Sequence, residues 1–99
     1  MTQRTPAVLT HSLKTHPGWF GELWSGHKRF EIRRDDRGFQ VGDILLLKEW
    51  APEGETFTGR RIAAIVHNIW RGLPGVNPAY VVMAIEPYMR ADNLFDNEV

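Results

Sequence analysis

Lys28, Glu31 and Arg33 stand close together in the stretch "GHKRFEIRRDDRGFQVGDILLL", residues 26–47. Two cations flanking a carboxylate suit two kinds of chemistry. As a binding set, Lys28 and Arg33 hold a phosphate or a base edge, while Glu31 orients them or accepts from an amino group. As a catalytic set, Glu31 is a general base and Lys28 an electrostatic stabiliser. A plainer alternative is a structural ion pair, because Glu31 and Arg33 are two apart and share a face of any strand. Alternation puts Lys28 on the other face, unless the strand begins after it or bulges there.

Those side chains need a scaffold, and the pattern supplies one. "AVLTHSLK" alternates as a first strand, and "THPGWFGELWSG" follows as a short helix, with Pro17 at its first position and Gly26 as its stop. Trp19, Phe20, Leu23 and Trp24 form one apolar stripe, which places both tryptophans in the core. In "KRFEIRR" alternation assigns Phe30 and Ile32 to the core face and Glu31 and Arg33 to the outer face. "DDRGF" is a turn with Gly38 at positive φ, and Arg34, Asp35 and Asp36 belong to its solvated surface. "VGDILLLKEW" is apolar enough to be a strand buried on both faces. Gly42 permits the turn into it and Asp43 bonds to backbone. "APEGETFTG" is a hairpin loop, "RRIAAIVHNIW" a fourth strand, "RGLPGVNP" a loop, and "AYVVMAIE" a fifth strand stopped at Pro87. Trp50 and Trp70 end strands, where either is a possible stacking platform. The order is strand, helix, then four closely spaced strands. That excludes a doubly wound parallel sheet and predicts a mainly β, α+β fold: a small barrel of about five strands with one helix between strands 1 and 2. The predicted layout is an arm over residues 1–7, one domain over 8–87 and a tail over 88–99.

Composition narrows the function classes. The chain has 99 residues, with twelve basic and twelve acidic side chains, so charge-driven coating of nucleic acid is excluded while a local basic patch is not. Lys28, Arg29, Arg33, Arg34 and Arg37 outnumber Glu31, Asp35 and Asp36 in one such patch. There is no cysteine, which removes disulfides and thiolate metal sites. His11, His16, His27 and His67 have no metal-motif spacing, so neither a metal nor a cofactor is expected. His16 is placed at the helix start, where an anion is welcome. No run suits a signal peptide or the ~20 apolar residues of a membrane span, and the expected location is cytoplasmic.

Residues 9–86 resemble a small ASCH-related domain of the PUA-like superfamily, common in phage and bacterial proteins. The likeness rests on Gly26, Lys28, Glu31 and Arg33, then Arg37, Phe39, Val41, Gly42 and Asp43, with "TGRRI" and "YVVMAIE" matching more loosely. It implies a PUA-like barrel with a cleft between barrel and helix, and RNA or a modified nucleotide as ligand. By that analogy Lys14 faces the cleft with Lys28, Glu31 and Arg33, and Arg37 joins the nucleic-acid-binding set. Some ASCH relatives are amidohydrolases acting on acetylated cytidine, with a Thr at the position of Glu31 and a further Glu from a helical insertion. This chain has a carboxylate in place of that nucleophile and only "RGLPGVNP" in place of the insertion. The expectation is therefore a binding module, with a hydrolase acting on a modified nucleoside or RNA as the alternative. A protein-interaction module using Leu94 and Phe95 is the third reading.

Overall fold

A computed structural model describes residues 7–92. The fold is mainly β: five strands in one curled, half-barrel sheet, with a helix between the first two strands. The elements are β1 (Thr10–Thr15), α1 (Pro17–Ser25), β2 (Phe30–Arg34), β3 (Ile44–Ala51), β4 (Thr56–Arg71) and β5 (Tyr80–Asp92). In space the order is β1-β3-β4-β5-β2. β1 runs parallel to β3 and the other pairings are antiparallel, which leaves β1 and β2 as the two edges.

The helix starts and stops where its caps dictate. His16 is extended (ψ 142°) and its Nδ1 accepts from the Gly18 amide at 3.2 Å, while Pro17 has no amide to leave orphaned. Gly26 takes the left-handed conformation (φ +88°) and its amide donates to the Leu23 carbonyl. Phe20 and Leu23 enter the core completely. There they meet Leu13 of β1, Leu45 and Leu47 of β3, Ile62, Ala64 and Val66 of β4, and Val81, Met83 and Ile85 of β5. Trp24 packs against this cluster, whereas Trp19 turns away and is 58% exposed. The apolar stripe is narrower than expected because the helix is only nine residues long and meets the core along one line.

β2 corrects the larger expectation. Glu31 is opposite Met83 and Arg33 opposite Val81, and cross-strand partners share a face. Met83 and Val81 are core, so Glu31 and Arg33 point inward, and Phe30 and Ile32 face out, 43% and 46% exposed. β3 is likewise not buried on both faces. Leu45 and Leu47 are buried while Ile44 and Leu46 are only half-buried, because among the described residues no second layer covers the outside of the sheet. β4 begins earlier than the predicted hairpin loop allows, at Thr56. β5 does not stop at Pro87 but continues to Asp92. Pro87 lies opposite Ala64 beside a bulge, beyond the last residue paired to β2, so its missing amide removes no bond on that open edge. The predicted tail therefore starts later than residue 88. Residues 1–6 and 93–99, including Leu94 and Phe95, lie outside the described residues.

The turn before β3 is organised by Asp43, as its sequence position suggested. Its carboxylate accepts from the Leu9 amide (3.3 Å) and the Gln40 amide (3.0 Å), both part-buried bonds, and from His11 Nε2 (2.8 Å) in the interior. Gly38 (φ +66°) and Gly42 (φ +94°) supply the positive φ that this turn requires. The helix is held by a second buried carboxylate. Glu49 accepts from Thr58 (2.8 Å) and bidentately from Arg60 (3.0 and 3.2 Å), and the Arg60 guanidinium lies over Phe20 and Trp24.

Side chains, not backbone pairing, bridge the two edges of the sheet. Arg33 Nη2 donates to the Lys14 carbonyl at 3.0 Å, and Arg37 Nη1 to the Ser12 carbonyl at 3.2 Å. Both carbonyls belong to β1, so two guanidiniums join β1 to β2 and the turn that follows it, where backbone pairing ends.

Candidate functional site

A cleft of about 640 Å³ opens beside the start of α1, between the end of β1 and the open edge of β2. Lys14 and Thr15 line it from β1, and His16 and Trp19 from the helix start. Because the cleft follows an edge strand, residues from both faces of β2 reach it: Glu31 and Arg33 from the inner face, Phe30, Ile32 and Arg34 from the outer one. Lys28 and Tyr80 complete the wall.

The floor is built around Glu31, whose side chain is 4% exposed. Its Oε1 accepts from Arg33 Nε at 2.8 Å and its Oε2 from Lys28 Nζ at 3.2 Å. β2 begins only at Phe30, so Lys28 precedes the strand and is free of its alternation. That is how three residues that alternation would separate come together. Lys28 Nζ also donates to the Phe30 carbonyl at 2.8 Å and lies between the Phe30 and Trp19 rings, 4.6 and 5.9 Å from their centroids. Arg33 adds a bond to the buried Thr15 hydroxyl at 3.3 Å. The buried carboxylate is thus neutralised by two directed cations, the condition under which such a charge is tolerated inside a protein. Each of its oxygens accepts from one cation, an arrangement that orients Lys28 and Arg33.

Of the residues singled out from the sequence, Lys14, Lys28, Glu31 and Arg33 all line this cleft. The Lys14 ammonium is seated on Trp50, 4.0 Å from the ring centroid, so it contributes at the rim. Arg37 does not line the cleft; it bonds to β1 and lies 4.0 Å from Asp36. His16 lies at the cleft mouth. Trp50 packs edge-on against Phe57, and Trp70 is exposed away from the cleft. Sequence reasoning missed Thr15, Trp19, Phe30, Ile32, Arg34 and Tyr80. The guanidinium of Arg34, expected in a solvated turn, lies 5.3 Å from the Tyr80 ring. Trp19, Phe30 and Ile32 were assigned to the core by hydrophobicity, and no local signal marks a large apolar side chain as a cleft wall. Among the described residues no group of three His, Asp or Glu side chains converges as metal ligands would. Nor is any helix there long and apolar enough to cross a membrane.

The fold and the cleft define a small half-barrel module with a concave, basic, aromatic-rimmed site. Residues 10–85 match the family model described as domain of unknown function DUF3850, and the chain belongs to that family. It is also similar to a protein of Escherichia phage P2, the "uncharacterized 12.9 kDa protein in GpA 3′ region". The two are 39% identical over 59 residues, which is 60% of this chain and 52% of the phage protein. The matched segment therefore spans about half of that relative's length.

Proposed function

We propose that this domain is a nucleic-acid-binding module that takes one unpaired nucleotide of a single strand, RNA first among the candidates, into the cleft beside α1. One observation carries the reading. In a chain of zero net charge, Lys14, Lys28, Arg33 and Arg34 face a single carboxylate, Glu31, in the same cleft that displays Trp19, Phe30 and Tyr80. Local positive charge attracts a phosphate backbone, and exposed rings offer a base a stacking surface. The resemblance of residues 9–86 to ASCH-related, PUA-like domains supports the same reading, and a cytoplasmic location goes with it.

The test is fluorescence anisotropy with labelled single-stranded RNA of mixed sequence, at about 50 and about 200 mM salt. Binding is expected to weaken steeply with salt. Trp19→Ala and Arg34→Glu, both at exposed positions, are each expected to weaken it roughly ten-fold. Absence of saturable binding at low salt, or binding indifferent to both substitutions, rules the proposal out. Cleavage of the strand, or hydrolytic release of a group from a modified base within it, points instead to the hydrolase alternative.

A further inference from the structure

We infer that a strand bound in the cleft continues over the outer face of the sheet, along a row of cations formed by Lys14, Lys48 and Arg61. This rests on the nucleotide-binding reading and extends its site from one nucleotide to a short track for the phosphate backbone. Lys14 is paired with Lys48 across β1 and β3, and Lys48 with Arg61 across β3 and β4. Cross-strand partners share a face. Here it is the outer one, because the residues next to them in the chain, Leu13, Leu47 and Ile62, are core. Neighbouring strands lie about 4.8 Å apart, so the row runs about 10 Å. It begins at the cleft, since Lys14 also lines that wall.

Like charges directly opposite each other destabilise a sheet. Lys14 and Lys48 do not relieve that repulsion with acid. Among the described residues neither has a carboxylate partner, in contrast to Lys28 and Arg33. Rings hold them instead. The Lys14 ammonium lies 4.0 Å from the Trp50 centroid and the Lys48 ammonium 5.5 Å from the Phe57 centroid, and the two rings meet edge-on at 4.8 Å. A ring fixes an ammonium without cancelling its charge. Two ammoniums are thus kept side by side and positively charged, which suits an anion of repeated charge. A phosphate backbone is such an anion, and one whose nucleotide occupies the cleft reaches Lys14 first and Lys48 next.

Anisotropy with single-stranded RNA of about six nucleotides, titrated across a range of salt, tests the track. Lys48→Met is expected to weaken binding roughly five-fold for strands of any sequence and to make the slope of log K against log salt shallower by about 0.7. Lys48→Arg, which keeps the charge, is expected to restore both. Trp19→Ala, in the cleft, is expected to lower affinity and leave the slope unchanged. A slope indifferent to Lys48→Met, or a loss that Lys48→Arg does not restore, overturns the inference and leaves the nucleotide-binding reading standing. So does an acidic peptide of matched charge that binds as tightly as the RNA and is released by Lys48→Met, because the row then belongs to a protein partner. No binding by any RNA strand overturns both.

Discussion

Asp43 and Glu31 are both buried carboxylates, and their partners decide what each does. Asp43 collects two backbone amides and His11, so it joins the approach to β1, the turn before β3 and the first strand itself. Asp43→Ala leaves all three donors without their acceptor, the His11 ring in the interior. It is expected to cost about 3 kcal/mol, read as a lower urea midpoint with an unchanged slope. Glu31 collects two side-chain cations instead, each of which also faces the cleft. Glu31→Leu adds apolar surface at an inward position yet leaves Lys28 and Arg33 facing each other without their anion. The expected result is a loss of about 3 kcal/mol in the same measurement, not a gain. The bond from the Gln40 amide to Asp43 was legible in "VGD", because a short polar side chain after a turn glycine bonds locally; the bonds from Leu9 and His11, 34 and 32 residues away, were not. The role of Glu31 was half legible: its partners were identified, its burial was not.

At the scale of elements, α1 is the piece that must be held, since a nine-residue helix is marginal alone. Glu49 and Arg60 hold it by stacking the guanidinium on Phe20 and Trp24, and Arg90 donates to the Trp24 carbonyl at 2.8 Å near the negative end of the helix. The bonds from Arg60 and Thr58 outweigh burial and lower the Glu49 carboxyl below its ordinary value of 4.5. A carboxyl lowered on folding stabilises the native state above its unfolded value, and that stabilisation is lost as pH falls through the folded value. Stability is therefore expected to decline as pH drops below about 4.5, and Glu49→Gln to flatten part of that decline in thermal melts taken across the acid range. The helix limits were readable from Pro17 and Gly26. Gly26→Ala forces a side chain into left-handed backbone and is expected to cost about 1 kcal/mol, measured by the same melts. The Glu49–Arg60 latch was not readable, because its members are eleven residues apart on strands whose bulge shifts the register.

At the scale of the whole molecule, the two edges of the half-barrel are bridged by side chains. Open strand edges invite pairing with other chains, and proteins commonly blunt them with charge. Here Arg33 and Arg37 do so by capping two carbonyls of β1. Arg33→Met with Arg37→Met is expected to reduce stability by about 3 kcal/mol and to speed amide hydrogen exchange over residues 10–15, while the β3–β4 ladder stays protected. Exchange unchanged over β1 contradicts the bridging role. Arg33 also connects this seam to the cleft floor, since the same guanidinium serves Glu31, Lys14 and Thr15.

The sequence by itself determined the order of elements, the helix caps, the glycine turns at residues 38 and 42, and the grouping of Lys28, Glu31 and Arg33 as the chemically richest stretch. These are local properties: a cap, a positive φ or an alternation needs only its near neighbours. Only the tertiary structure decided which face of β2 is the inside. Alternation divides a strand into two faces without saying which one meets the core. Hydrophobicity pointed to Phe30 and Ile32. The register with β5 chose Glu31 and Arg33, and the ion pairs with Lys28 and Arg33 make that choice physically tolerable. The same register turned two expected core residues, Phe30 and Ile32, into cleft walls. The carbonyls that Arg33 and Arg37 cap are 19 and 25 residues away, beyond any local pattern.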